Sequence, residues 1–325
     1  MHYKNITRRT FLRTTAAGVL ASALPGCTSR TLTRPNTPAV SFGICADVHK
    51  DLVPDADQHL AEFITEANKR NVDFVIQLGD FCRPYDKNKK FLDIYHSFQG
   101  PAYHVLGNHD TDGGFTREQT LAFWNSPAKY YSFDCNGVHF VVLDGNDIKP
   151  NRAPGYPRYI GPEQQDWLAR DLAATNLPTI TFSHQSLNAS DDHIENAAEL
   201  RAILELANKP KRKILASFNG HEHADYVETI NGIHYVNINS TSYQWLGGSY
   251  QAKRFSPEIE KEYPYISYTA PYRESIYAFV TIHPDHSIRI EGKTTEFIPP
   301  TPADLNHPNA NTKRSTPKIS NRTLT

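Results

Sequence analysis

No acidic residue occurs in this 325-residue chain before Asp47, although Lys4, Arg8, Arg9 and Arg13 have already appeared. The same N-terminal region lacks a run long enough to cross a bilayer: its apolar stretch, AAGVLASAL, falls well short of the ~20 residues a spanning helix needs. Cysteine is scarce, with Cys27, Cys45, Cys82 and Cys135 the only four, which excludes a disulfide framework as the source of stability. Cys45 and Cys82 each stand two residues from an aspartate, and read as small buried hydrophobes or, alternatively, as a single bridge. Excess charge is missing too: a formal net charge of -1 and no polybasic patch exclude a nucleic-acid polymer as partner.

The basic start followed by a short apolar stretch has the layout of a signal peptide. TRRTFLR resembles the bacterial twin-arginine export signal, and LPGC, ending at Cys27, resembles a lipoprotein processing site. Lipidation at Cys27, plain cleavage nearby and an uncleaved anchor are the alternatives this segment leaves open. The expected location is periplasmic or membrane-anchored, with the membrane touched only through that lipid. The implied organisation is a signal peptide over 1–27, a linker over 28–40, one domain over 41–298, and a Pro/Asn/Thr-rich tail over 299–325 that is expected to be disordered.

From residue 41 onward, short β-rich runs alternate with helical patterns. SFGICA and VDFVIQL read as strands; between them Leu60, Phe63, Ile64 and Ala67 share one helical face. PAYHVL follows as a strand, KYYSFDC and VHFVVLD as a hairpin, and GPEQQDWLARDLAATN as a helix with Trp167, Leu168 and Leu172 inward. After the strands PTITFSH and KILASF the helices stop, and DYVETI, IHYVNIN, SIYAFVTI and SIRIEGK read as antiparallel strands. The fold class is α/β: mixed β-sheets faced by helices.

Polar residues gather where these strands end. SFGICA leads to Asp47 and His49, VIQLG to Asp80, HVLG to Asn108, His109 and Asp110, TITFS to His184, and ILASFNG to His221 and His223. Ligands of open α/β sheets collect outside the carboxyl ends of strands, so these residues are expected in one place. D-x-H and H-x-H would put two side chains on one side of an extended segment. The imidazoles, two carboxylates and one amide oxygen form a donor set suited to Zn, Fe or Mn rather than Ca or Mg.

The ordered series DVH, GD, GNHD, H and GHEH resembles the calcineurin-like metallophosphoesterase superfamily, as do Gln185, Ser186 and Leu187 and the GxxQxxWL pattern at Gly161 to Leu168. The resemblance covers about residues 41 to 295 and implies two mixed β-sheets packed face to face and flanked by helices, a four-layer αββα sandwich. It further implies one metal on Asp47, His49, Asp80 and His223 and a second on Asp80, Asn108, His184 and His221, with Asp80 bridging. Two divalent ions outweigh two carboxylates, so the centre would attract a phosphate ester of a small molecule. The implied chemistry is attack by metal-activated hydroxide with His109 as general acid and Asp110 supporting His109.

The chain departs from two relatives of that superfamily. Where purple acid phosphatases carry a tyrosine ligand three residues after the bridging aspartate, this chain has Arg83, so no tyrosinate–iron chromophore is expected. The residues after 295 are too few for the base-gripping domain of periplasmic 5'-nucleotidases. Residues 240–274, rich in tyrosine and holding Trp245, either wall a nucleobase or sugar, with Arg273 or Lys253 reaching phosphate, or cover a sheet edge. The competing function is an exported lipoprotein that binds metal or phosphate without turnover. The motifs do not separate monoesters from diesters.

Overall fold

The computed structural model describes residues 40–188, 193–209 and 211–325. The segment expected to be a signal peptide, with its twin-arginine-like motif and Cys27, lies outside the described residues. Among the described residues, no helix is long and apolar enough to cross a membrane.

The chain begins with β1 (Val40–Cys45), α1 (Ala56–Arg70), β2 (Phe74–Gln77), α2 (Lys89–His96), β3 (Ala102–His104) and α3 (Arg117–Trp124). Then come the hairpin β4 (Tyr131–Cys135) and β5 (Val138–Val142), α4 (Pro162–Ala174), β6 (Thr179–Ser183), α5 (Ala197–Ala207) and β7 (Ile214–Asn219). The last third holds β8 (Tyr226–Ile230), β9 (Ile233–Asn237), β10 (Tyr243–Trp245), α6 (Pro257–Glu262), β11 (Thr269–Pro271), β12 (Ala278–Ile282), β13 (Ile288–Glu291) and β14 (Arg322–Leu324). One sheet runs β14-β13-β12-β1-β2-β3 and the other β4-β5-β6-β7-β9-β8, while β10 and β11 form a separate ribbon.

The strand pattern explains the layering. Phe42, Ile44, Phe74 and Ile76 point between the sheets and meet Phe140, Phe182 and Phe218 from the other side. The Phe42 ring lies edge-on to those three, at 5.8, 5.7 and 6.1 Å between centroids. Each buried phenylalanine contributes about 1.5–3 kcal/mol. The opposite face of the first sheet, with Cys45 and Val75, packs on Leu60, Phe63 and Ile64 of α1 and Phe91 and Tyr95 of α2. Val141 and Leu143 likewise meet α4 and α5 through Leu168, Leu172, Leu200 and Leu204. The result is the expected four-layer α/β sandwich.

Several readings differ from the structure in part. The strands after β7 pair antiparallel as expected, β8 with β9 and β12 with β13, but they are divided between sheets: β9 pairs parallel to β7, and β12 and β13 join β1 in the first sheet. A short helix, α6, interrupts the helix-free region, inside an aromatic stretch that proves to be the β10–β11 ribbon and its connection. Trp167 packs on the core beneath α4 as expected but is only half-buried, with Tyr130 against it, and Gln164 joins Leu168 and Leu172 in the buried positions. Cys45, Cys82 and Cys135 form no disulfide and are buried, as the small-hydrophobe reading of Cys45 and Cys82 expected.

The tail is the largest correction, since residues 299–325 are structured and β14 extends the first sheet. Ile319 is buried in the inter-sheet core, and Asp225 takes hydrogen bonds from Ser320 Oγ at 2.5 Å and Arg322 Nη1 at 2.6 Å. Asn239 Nδ2 donates to the carbonyls of Thr316 and Lys318. A segment held by two isolated apolar contacts, Ile319 and the partly buried Leu324, and by polar bonds to distant residues shows no apolar periodicity, so composition alone misled.

Candidate metal centre

Gly107 opens the turn after β3 because nothing larger fits: a Cβ there would lie 2.1 Å from the Asp80 backbone nitrogen. A Cβ at Gly79 would sit 2.6 Å from His184 Nδ1. These close approaches let the turns after β2 and β3 nest together beside His184. Asp110 pins them, its carboxylate accepting from the backbone N–H of Asp80 (2.9 Å), Phe81 (2.7 Å) and Gly107 (2.7 Å). Burial and the neighbouring Asp80 carboxylate push Asp110 up to about 8, against the pull of these donors.

All seven residues named as metal ligands meet at the carboxyl ends of β1, β2, β3, β6 and β7. Asp47, His49 and His223 form one group and Asp80, His184 and His221 another, the donor atoms of each lying within 4.8 Å of one another. Asp80 Oδ2 faces both groups, 3.6 Å from His49 Nε2 and 3.2 Å from His184 Nε2. Asn108 Oδ1 reaches to 3.1 Å from His184 Nε2.

The ring orientations are fixed by backbone carbonyls. His184 Nδ1 lies 2.8 Å from the Leu78 oxygen and His223 Nδ1 lies 3.0 Å from the Tyr243 oxygen. A carbonyl only accepts, so each Nδ1 carries a proton and each Nε2 is the nitrogen turned inward, where an ion would take it. His221 Nδ1 sits 3.1 Å from His184 Nε2.

The means by which D-x-H and H-x-H converge differs from the extended segments expected. Asp47, His49, Asp80, His221 and His223 have positive φ values of 51, 52, 50, 69 and 47°. The left-handed region is costly for most L-residues and least so for Asn, Asp and His. The backbone therefore turns away beyond the strands while both side chains face the centre.

Charge and donor chemistry fit a pair of divalent ions. Burial works against protonating His184, yet Asp80 and Asp47 push it up to about 9. Burial holds His49 and His221 well below their ordinary value, leaving neutral imidazoles. His49 Nε2 is buried and has no protein hydrogen-bond partner, a costly vacancy for a polar atom unless a ligand fills it. Asp47, His49, Asp80 and His223 would hold one ion, and Asp80, Asn108, His184 and His221 the other.

His109 stands beside this centre, its ring 5.6 Å from that of His49. Its partner is not Asp110, as the sequence suggested, because that carboxylate is occupied with backbone N–H groups. Asp112 takes the role: its Oδ2 lies 2.8 Å from His109 Nδ1 and 3.2 Å from Arg83 Nη2. The short 3₁₀ turn over His109–Thr111 puts positions i and i+3 on one side, and the HDTD spacing is the signal that could have revealed it. Tyr156, which sequence reading also missed, donates to Asp112 Oδ1 at 2.9 Å and packs edge-on to His109 at 4.6 Å. Although burial opposes it, Asp80 and Asp112 raise His109 above its usual value.

On the opposite flank, Tyr243 is buried against His49 and His223 with ring separations of 5.1 and 4.8 Å. Trp245, two residues on along β10, is 45% exposed and stacked on Tyr268. Arg273 pairs with Glu296.

Two buried donor groups sharing one carboxylate, at the strand ends of a two-sheet sandwich, define a dinuclear metal-binding α/β protein. A sequence profile described as calcineurin-like phosphoesterase matches residues 40–225, more than half of the chain, and the chain belongs to that family. It is 32% identical over 148 residues to a manganese-dependent ADP-ribose/CDP-alcohol diphosphatase of Oryza sativa, covering 37% of this chain and 44% of that protein. An Arabidopsis thaliana protein of the same description matches at 32% over 148 residues, covering 37% and 46%. The chain thus spans less than half the length of the curated relatives it matches. In structure it resembles a dimetal phosphatase from Danio rerio, with a TM-score of 0.60, 15% identity and coverage of 81% of this chain and 99% of the other. An anchor protein of the inner membrane complex of Plasmodium shares the fold at a TM-score of 0.51, 15% identity and coverage of 80% and 88%.

Proposed function

We propose that the chain is an exported dinuclear-metal phosphoesterase acting on small-molecule phosphate esters, among which diphosphate-linked nucleotides of the kind named for its plant relatives are the leading candidates. The observation that carries this reading is the meeting of the two donor groups at Asp80 with the held imidazole of His109 alongside. When bound, the two ions supply an acidified water and a clamp for phosphoryl oxygens. Manganese is the metal proposed, from the relatives' description.

The chain's own residues orient and protonate. Asp112 keeps the Nδ1 proton of His109 engaged, which aims Nε2 at the centre. From Nε2 a proton passes to the leaving oxygen, so the alcohol or phosphate departs neutralised. Arg83 and Tyr156 hold the Asp112 carboxylate from two other sides. Export by the twin-arginine route, with or without a lipid at Cys27, is part of the proposal; replacing Arg8 and Arg9 by lysine should leave the protein in the cytoplasm.

The test is turnover of manganese-loaded protein on p-nitrophenyl phosphate and bis(p-nitrophenyl) phosphate, with Asn108→Ala as control. Diester preference with loss of activity in the variant supports the reading, and monoester preference moves it to phosphate scavenging. Bound metal without any turnover would make this a binding protein instead.

A further inference from the structure

Arg83 stands where a metal ligand or a carboxylate would be unremarkable, three residues after Asp80, and it is a fixed cation. Its backbone is clamped on both sides: its N–H donates to Asp51 Oδ2 at 2.9 Å and its carbonyl accepts from Asn88 Nδ2 at 3.0 Å. The side chain therefore leaves from an immobile point. It lines one open cleft together with His49, Asp80 and His109. Among the described residues its guanidinium makes a single hydrogen bond, from Nη2 to Asp112 Oδ2. A guanidinium has five N–H donors in a planar fork, so the others remain free to face a ligand.

Lys50, the other cation lining that cleft, is bound to Asp57 at 2.8 Å. Among the residues lining it, Arg83 is the cation with open donors beside His109, the side from which the leaving group departs.

We propose that Arg83 forms a subsite for a second phosphoryl group, so that the chain is built for diphosphates whose leaving group is itself a phosphomonoester. This rests on the phosphoesterase reading and deepens it. Water adds across the P–O–P link: its oxygen bonds to the attacked phosphorus and its proton is lost to solvent. The bond from that phosphorus to the bridging oxygen breaks, and the bridging oxygen leaves on the second phosphorus with a proton from His109. Arg83, bidentate on the departing group, binds the charge that accumulates there.

The experiment compares ADP-ribose with bis(p-nitrophenyl) phosphate, two substrates with leaving groups of comparable acidity, in the manganese-loaded wild type, Arg83→Gln and Arg83→Lys. A charge-assisted hydrogen bond is worth about 1.5–3 kcal/mol, so Arg83→Gln should lower kcat/KM on the diphosphate by about ten- to a hundredfold. The monophosphate diester should lose only the smaller share that follows from weakened support of Asp112, leaving the loss on the diphosphate clearly the larger, and Arg83→Lys should restore part of that difference. Equal losses on both substrates would overturn the proposal by reducing Arg83 to a support for Asp112, and no loss on either would overturn it outright. If the wild type hydrolyses neither substrate with metals bound, the phosphoesterase reading fails separately. Calorimetric affinity for α,β-methylene ADP against AMP then decides the subsite: a preference lost in Arg83→Gln upholds it, and a preference unchanged in that variant refutes it.

Discussion

Asp110 and Asp112 lie two residues apart in one turn and face opposite worlds. Asp110, on the inner side, is 1% exposed and spends both oxygens on backbone N–H groups of two loops. Asp112, on the outer side, meets only side chains: His109, Arg83 and Tyr156. The inner carboxylate builds the place where ligands meet, and the outer one tunes the residue that acts on substrate. Two identical side chains in one motif therefore have separable roles, one felt in stability and the other in rate.

The sharpest way to break that contrast is Asp110→Ala. It orphans three buried N–H donors at about 1–3 kcal/mol each, so urea unfolding should show a loss of several kcal/mol together with loss of bound metal; a stable, active variant would refute the division. His109→Ala should retain its metals by elemental analysis while kcat falls about 10²–10⁴-fold. The loss should be greatest on substrates with poor leaving groups, and an equal loss on good ones would remove the proton-donor role. Asp112→Asn keeps the shape and drops the charge: the expected result is about a ten- to hundredfold fall in kcat, an unchanged urea midpoint and a His109 limb of the pH profile moved to lower pH.

Trp245→Ala probes the far flank. Aromatic contact worth about 0.5–1.5 kcal/mol corresponds to a roughly two- to tenfold rise in KM for a base-bearing substrate, with stability unchanged; an unchanged KM would leave the ring as cover for the β10–β11 ribbon. The smallest effect concerns an imidazole held by carboxylates away from the centre. His139 lies between Asp134 at 2.6 Å and Asp171 at 2.8 Å, and although burial opposes it, their hydrogen bonds raise its value above normal. A raised folded value stabilises below the unfolded one, near pH 6.5, and is lost as pH rises through the folded value. The destabilisation by His139→Gln should accordingly be largest in mild acid and fade in alkali, in urea titrations across that range, with kcat untouched.

The sequence made the metal centre legible because each ligand ends an apolar run, and the runs set the strand order that gathers them. What it concealed depends on contacts without periodicity. Tyr156 reaches Asp112 from a loop 44 residues away, and nothing in its neighbours marks it. Asp112 was hidden by a more familiar letter beside it. The tail showed no apolar pattern because only Ile319 and, partly, Leu324 reach the core, while Asp225, Asn239 and Arg254 anchor it from elsewhere.

The left-handed backbone at Asp47, Asp80, His49, His221 and His223 also shapes what drift can do to this molecule. Asparagine and glycine sit in that conformation at little cost, whereas valine or isoleucine there are forced against their own backbone. An Asp-to-Asn change at 47 or 80 thus removes a charge and keeps the architecture, so the centre can be disarmed without dismantling the fold. Lineages descending from such a chain have an easy route to metal-free scaffolds, and an alanine scan would blur two penalties that an asparagine scan keeps apart.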